Sequence, residues 1–166
     1  MRLIRPSHEI LTEFDADGIL RRIEAAGRTC YKTEEKTTAE TARPFVARII
    51  KNGHHSVLEH ESLSVRFICD RGVTHEIVRH RLAAYSQEST RYCNYEGGVT
   101  FIIPPWSKIE PGETQMRTLW PMADKIWFGA CKEAARYYAI LLGHGWSPQQ
   151  ARSVLPNSLK TEIVMT

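Results

Sequence analysis

Leu63-Ser64-Val65-Arg66-Phe67-Ile68-Cys69-Asp70 sets Leu63, Val65, Phe67 and Cys69 in alternation with Ser64, Arg66, Ile68 and Asp70. A repeat of two is the side-chain period of an extended strand, so this stretch predicts a strand with one face on a core. On its C-terminal side Gly72 breaks the strand, and Thr74 is placed to cap a helix through His75, Ile77 and Val78 to roughly Arg81. At helical spacing Arg79 and Arg81 face nearly opposite ways. Tyr85 to Asn94 then reads as an irregular polar loop, and Val99 to Ile103 as a second apolar strand stopped by Pro104-Pro105.

Upstream of the first strand, Leu3-Ile4 suits a short strand. Asp15-Ala16-Asp17 offers caps for a helix through Ile19, Leu20, Ile23 and Ala26, which Gly27 is expected to end. Arg28-Thr29-Cys30-Tyr31 follows as a polar turn, with a charged connector to about Thr38. From Ala39 a second helix puts Phe45, Val46, Ile49 and Ile50 on one face, with Pro44 starting or kinking it and Gly53 as its C-terminal cap. Downstream, Ile109 to Thr114 reads as a surface loop. Pro121 to about Leu142 reads as a long core helix on Ile126, Trp127, Ala130, Ala134, Tyr137, Tyr138 and Leu141. Ser147-Pro148-Gln149-Gln150 has the form of a capping box and opens a short helix ending before Pro156. Leu159, Thr161, Ile163 and Met165 close the sequence in strand alternation.

The 166 residues suit one domain, and the 42% hydrophobic and 25% charged fractions are those of a soluble globular chain. A net charge of +3 is too mild to imply nucleic-acid binding by itself. Cys30, Cys69, Cys93 and Cys131 form no Cys-x-x-Cys pair, which disfavours a zinc site or redox dithiol. Reduced thiols and a cytoplasmic location are the expectation. Charge and proline interrupt Met1 to Pro6 before any apolar run, and Ile126 to Leu142 carries Lys132, Glu133 and Arg136, so neither a signal peptide nor a membrane span is expected.

Chemistry concentrates in Arg79 to Tyr92, where three arginines, one histidine, two serines, a glutamine and two tyrosines share fourteen positions. Arg71 and His75 lie nearby, and Glu76 and Glu88 are the opposing charges, so the local field is positive. Guanidinium forks with short serine donors fit phosphate, and Gln87 has the paired donor and acceptor of a pyrimidine edge. The bland reading, arginines paired with surface carboxylates, stands level with it on spacing alone. His54, His55 and His60 with Glu59 raise a metal site, but the spacing fits neither His-Glu-x-x-His nor His-x-x-Glu-His. Ser89 lacks a nucleophile elbow, and no Gly-rich phosphate loop is present. A nucleotide-binding site is as far as the residues alone lead.

The motifs themselves add a family. Arg79-His80-Arg81, seven intervening residues and Ser89, continued by Tyr85-Ser86-Gln87-x-Ser89-x-Arg91-Tyr92, resemble the signature of the flavin-dependent thymidylate synthases (ThyX). Arg28-Thr29-Cys30-Tyr31, Gly53-His54-x-Ser56-x-x-Glu59-His60 and Ala151-Arg152-x-x-Leu155-Pro156 resemble three further motifs of that family in the same order. The resemblance implies an α+β fold with an antiparallel sheet packed with helices, a single domain over 1–166, and a homotetramer with shared active sites. It implies reductive methylation of dUMP to dTMP, with FAD as cofactor and NADPH and methylene-tetrahydrofolate as co-substrates, and no metal, nucleic acid or membrane.

By position, Cys30, His54, Ser56, Glu59, Arg79, His80, Arg81 and Ser86 would contact the flavin, His54, Ser56 and Glu59 also bordering the folate. His75, Gln87, Glu88, Ser89, Arg91 and Arg152 would hold dUMP. Arg79, Ser89 and Arg152 would take the catalytic roles. Cys30 stands where many members have serine, and Glu88 puts a negative charge where an apolar residue is usual. Members also continue beyond the position of Thr166 with an Asn-x-Arg segment and a helical region, so part of the site is expected outside these residues. Two alternatives remain open: a ThyX-like protein that binds flavin or nucleotide without turnover, and a basic nucleic-acid module stacking bases on Tyr85 and Tyr92.

Overall fold

Strand β1 (Arg2–Ile4) is followed in order by β2 (Ser7–Ile10), α1 (Ala16–Tyr31), α2 (Ala42–Lys51), β3 (Val65–Asp70) and α3 (Arg71–Ile77). Then come β4 (Tyr85–Gln87), β5 (Thr100–Ile102), α4 (Met122–Gly143), α5 (Pro148–Ala151) and β6 (Lys160–Met165). Short 3-10 turns occupy Glu34–Lys36, His55–His60 and Arg152–Val154. The computed structural model describes all 166 residues. They form two compact units, Met1–Glu9 with Val65–Thr166, and Ile10–Ser64.

In the first unit the strand read first, β3, is internal to a four-stranded sheet of order β2-β3-β6-β4. β6 runs antiparallel to both neighbours, with Phe67 opposite Ile163 on one side and Gln87 opposite Ile163 on the other. Thr161 and Ile163 are fully buried, so the alternation in the closing stretch maps onto a core face. A second, two-stranded sheet pairs β1 with β5 in parallel, Leu3 opposite Phe101. The α+β class and the antiparallel sheet with helices are therefore present, with a small parallel pair in addition. Leu3, Phe101, Ile103, Ile109 and Leu159 pack with Phe128, Cys131 and Tyr138 of α4 into one core.

Five expectations about this unit are corrected. Asp70, not Thr74, caps α3: its carboxylate accepts the Val73 N–H at 2.8 Å. The helix stops at Ile77, so Arg79 and Arg81 lie beyond it and the opposite-face argument lapses. Tyr85 to Gln87 is a strand rather than loop, because β6 supplies a pairing edge that local composition does not reveal. Ile109 begins the supposed surface loop yet is fully buried, since Arg5 donates to the carbonyls of Pro104, Ser107 and Ile109 at 3.3, 3.4 and 2.8 Å and draws that segment inward. On α4 the buried face is Asp124, Phe128, Cys131 and Tyr138, while Ile126 and Tyr137 are exposed. Apolar residues surround that helix, so periodicity underdetermines its inner face.

The second unit is a helix pair. Ile23 of α1 packs on Phe45, Val46 and Ile49 of α2. Gly27 does not end α1; the helix runs on to Tyr31 and closes at Lys32, which takes a left-handed φ of 52°. A Cβ on Gly27 would lie 2.6 Å from Cε1 of Phe45, so the glycine is there to let the helices approach. The expected polar turn Arg28 to Tyr31 is thus the last helical turn, and Arg28 is buried against Glu24 one turn earlier, Nε to Oε1 2.8 Å. α2 starts at Ala42 rather than Ala39, with Pro44 in its first turn, where a missing N–H is tolerated. Ile50, expected on the apolar face, is exposed.

Candidate active site

α3, β4 and β6 are tied together by one buried knot. Thr74 donates its hydroxyl to the Arg71 carbonyl at 2.9 Å, and the Gln87 amide nitrogen donates to Thr74 Oγ1 at 2.9 Å and to Thr161 Oγ1 at 3.3 Å. Thr74 and Thr161 are fully buried, so the two hydroxyls gain partners they would otherwise lack. Gln87 keeps only its amide oxygen for a ligand. The knot also places Arg71, the first residue of α3, whose N–H bonds the Asn157 carbonyl at 2.9 Å and whose Nη1 reaches the Glu88 carbonyl at 3.5 Å.

Beyond the Gln87 end of β4, the chain turns through Ser89 to Cys93. The Ser89 carbonyl accepts the N–H of Tyr92 at 3.2 Å and of Cys93 at 2.9 Å, and its hydroxyl oxygen accepts the Arg91 N–H at 3.3 Å. Thr90 is buried and accepts from Arg152 Nη1 at 2.7 Å. Arg152 is delivered by α5, whose capping box is formed as expected, Gln150 Oε1 accepting the Ser147 N–H at 2.9 Å. Arg91 lies over Tyr92, 5.4 Å from its ring centroid, and donates to Gln149 at 3.4 Å. Thr90 and Arg152 line a cavity of about 420 Å³ together with Arg71, Gln149, Ser153 and Asn157 among others. Two guanidiniums face it, and neither has a carboxylate partner.

Glu88 does not add its charge to that cavity. Its carboxylate accepts Tyr95 Oη at 2.7 Å and Lys160 Nζ at 3.0 Å. Burial, then the hydrogen bond to Glu88, pushes the Tyr95 phenol above its usual range. Lys160 is also held above its ordinary value: burial works against the ammonium, and hydrogen bonds to Glu162 and Glu88 outweigh it.

At the Tyr85 end of β4 the chain makes a second turn. Tyr85 Oη donates to the His80 carbonyl at 2.7 Å, and Leu82 holds a left-handed φ of 59° with its side chain 89% exposed. Val78, Arg79, His80, Arg81, Leu82 and Tyr85 line a concavity of about 540 Å³. Arg79 reaches Glu76 at 3.3 Å with both ends exposed, an ion pair of little energy and easily exchanged for a ligand. Arg81 and Ser86 are exposed, as is His75 in the last turn of α3. The fourteen-residue stretch is therefore turn, strand, turn, and a three-residue strand holds its two ends roughly 7–10 Å apart.

In the second unit, Cys30 is exposed near the end of α1, its Sγ 3.8 Å from the Ala26 carbonyl. His54 precedes the 3-10 turn that carries Ser56 and Glu59, and all three side chains are exposed. No group of three or more His, Cys, Asp and Glu side chains is arranged to hold a metal ion. Sequence reasoning passed over Thr90, Gln149 and Asn157. Thr90 sits at a variable position of its motif and Gln149 was read as helix opening alone, so only the fold reveals them. Arg71 carried a signal, since it lies shortly before the positive stretch.

A family model described as "Thymidylate synthase complementing protein" matches residues 12–166, across both units. The flavin-dependent thymidylate synthase of Mycolicibacterium gilvum (strain PYR-GCK) is 38% identical over 163 residues, covering 92% of this chain and 64% of the relative. That of Geobacter sulfurreducens is 34% identical over 148 residues, covering 85% of this chain and 60% of the relative. The chain thus spans a little under two thirds of these relatives' length. Among solved structures, a UMP/dUMP methylase PolB from Streptomyces cacaoi bound with 5-Br dUMP superposes with a TM-score of 0.78 at 22% identity, covering 99% of this chain and 74% of that one. That likeness shows a shared fold.

Proposed function

The chain belongs to the thymidylate synthase complementing protein family, and from that premise we propose that it carries out the flavin-dependent reductive methylation of dUMP to dTMP, as a methyltransferase. The observation that carries the proposal is the cavity beside β4, where Arg71 and Arg152 stand without carboxylate partners and Thr90 lines the wall, flanked in sequence by Ser89 and Arg91. Unpaired guanidiniums in a partly enclosed site are the donors that phosphate takes. Arg91 and Arg152 hold the nucleotide phosphate, with Ser89 adding a hydroxyl. The free amide oxygen of Gln87 accepts from the uracil N–H. His75, exposed in the last turn of α3, adds a further polar contact to the nucleotide. Glu88 acts at one remove, by fixing Tyr95 and Lys160 under the turn.

The donor set at the other end of β4 fits FAD. Arg79, His80 and Arg81 form an exposed, cation-rich concavity suited to a diphosphate, and Ser86, exposed on β4, adds a hydroxyl. When bound there, the flavin supplies the hydride for the uracil ring. Arg79 steadies the negative charge that gathers on the ring as it is reduced, the electrostatic work this site most needs. Cys30, His54, Ser56 and Glu59 complete the flavin and folate region in an assembly of four identical subunits acting in the cytoplasm. NADPH and methylene-tetrahydrofolate are the co-substrates. The family match across both units supports reading residues 1–166 as one domain of that enzyme.

The test is product formation. The protein with its natural C-terminus, loaded with FAD and supplied with NADPH and methylene-tetrahydrofolate, is expected to convert dUMP to dTMP, read by chromatography. Absence of dTMP from protein that shows the flavin absorbance bands would leave only a binding relative. The nucleic-acid reading is not favoured, because a net charge of +3 is mild for it and the family match points to thymidylate synthases.

A further inference from the structure

The second unit holds a cavity of about 580 Å³ bounded by the end of α1, the connector after it and α2, within the size range of small-molecule sites. Phe45 forms its floor, 5% exposed, with the Arg28 guanidinium 5.0 Å and the Arg48 guanidinium 5.4 Å from the ring centroid. The charge of Arg28 is met inside the protein by Glu24. Arg48 and Lys36 also line the cavity, and neither has a carboxylate within ion-pairing distance. Glu34 and Glu35 precede Lys36 in the sequence but do not line the space. Tyr31, 59% exposed, stands at the mouth with Asn52. Since the ring of Phe45 is already engaged by the guanidiniums, the aromatic surface offered to a ligand is that of Tyr31.

We propose that this cavity binds a small molecule carrying a flat ring and more than one negative charge, its phosphate or carboxylate groups on Arg48 and Lys36 and its ring against Tyr31. Two free cations converging on one partly enclosed space prefer a multiply charged anion over chloride or a single carboxylate. The anion chemistry stands on the cavity alone. The choice of ligand rests on the function proposed above, in which His54, another lining residue, borders the folate: the charges then belong either to the glutamate end of the folate or to the 2′-phosphate of NADPH.

The experiment uses the full chain and two probes without a reacting centre, p-aminobenzoyl-glutamate for the first source and adenosine 2′,5′-bisphosphate for the second, each titrated by calorimetry. One of them is expected to bind saturably, and its identity names the source. Arg48→Gln and Lys36→Gln are each expected to weaken that binding about tenfold, the loss of one charged hydrogen bond, and Tyr31→Ala by a smaller factor. All three side chains are exposed, and circular dichroism verifies that the variants fold. Binding of neither probe at millimolar concentration overturns the inference, as does unchanged affinity in both charge variants. dUMP titration and the flavin absorbance, recorded on the same samples, separate the two readings. If they persist while the probes fail, only the cavity assignment falls; if the probes bind and the variants lose them while dTMP formation fails, the cavity stands without the enzyme.

Discussion

Glu88 illustrates how one residue can look harmful in sequence and be harmless in the fold. A carboxylate between Arg81 and Arg91 ought to weaken an anion site, yet Tyr95 and Lys160 take up its two oxygens. Lys160→Met would leave that carboxylate in a partly buried place with the Tyr95 hydroxyl and no counter-cation, and a roughly threefold or greater weakening of dUMP binding is expected in a direct titration, with a lower melting temperature. An unchanged dUMP affinity would mean that Glu88 does not sense the cavity. For the phosphate itself, Arg91→Ala is expected to weaken dUMP binding by about tenfold or more, the scale of one charge-assisted hydrogen bond, and Ser89→Ala by less. The reverse order in equilibrium dialysis would transfer the phosphate from the guanidinium to the hydroxyl. At this scale the arginines, serines and Gln87 were legible because their types advertise anion and amide chemistry. Thr90 and Asn157 were not, because a threonine or asparagine becomes a site residue only through what the fold sets beside it.

Among the elements, those with a local cause were readable: β3 and β6 from a two-residue alternation, α5 from its capping box, and the existence of α4 from its length. Boundaries set by tertiary contact were not. Gly27 reads as a helix stop by conformational preference, whereas Phe45 makes it a packing residue. Gly27→Ala separates these meanings. Alanine favours a helix by about 1 kcal/mol, but here its Cβ would press on a ring held by Arg28 and Arg48, and overpacking costs about 1–3 kcal/mol. Net destabilisation is expected in urea denaturation, and a more stable variant would return Gly27 to the role of a helix stop. Likewise β4 is a strand because β6 lies beside it, not because Tyr85-Ser86-Gln87 prefers extension.

For the molecule as a whole, alkaline pH is the direction of weakness. Burial, with Asp70 adding to it, pushes the Cys69 thiol from 9.0 up to about 11, and the Tyr95 phenol and Lys160 ammonium are also held above their ordinary values. Each group binds its proton more tightly when folded than when unfolded, so this stability is fully present below the unfolded values and drains as pH rises through the folded ones. Melting temperatures measured in steps are expected to fall between pH 9 and about 11, and a Cys69→Val variant to lose part of that slope. A profile flat across that window would contradict the burial of these groups. The α+β architecture and the positive stretch were visible in the sequence, and the motif resemblance already divided that stretch into a flavin half and a nucleotide half, whereas the strand β4 that lies between the two halves was not visible. That division is the central claim, and dUMP titration into the full chain and into Arg152→Ala tests it most directly. Saturable binding weakened at least tenfold in the variant, with the flavin bands intact, is the result predicted from a charged contact of about 1.5–3 kcal/mol; equal affinity in the two proteins would contradict the placement of the nucleotide in the cavity beside β4.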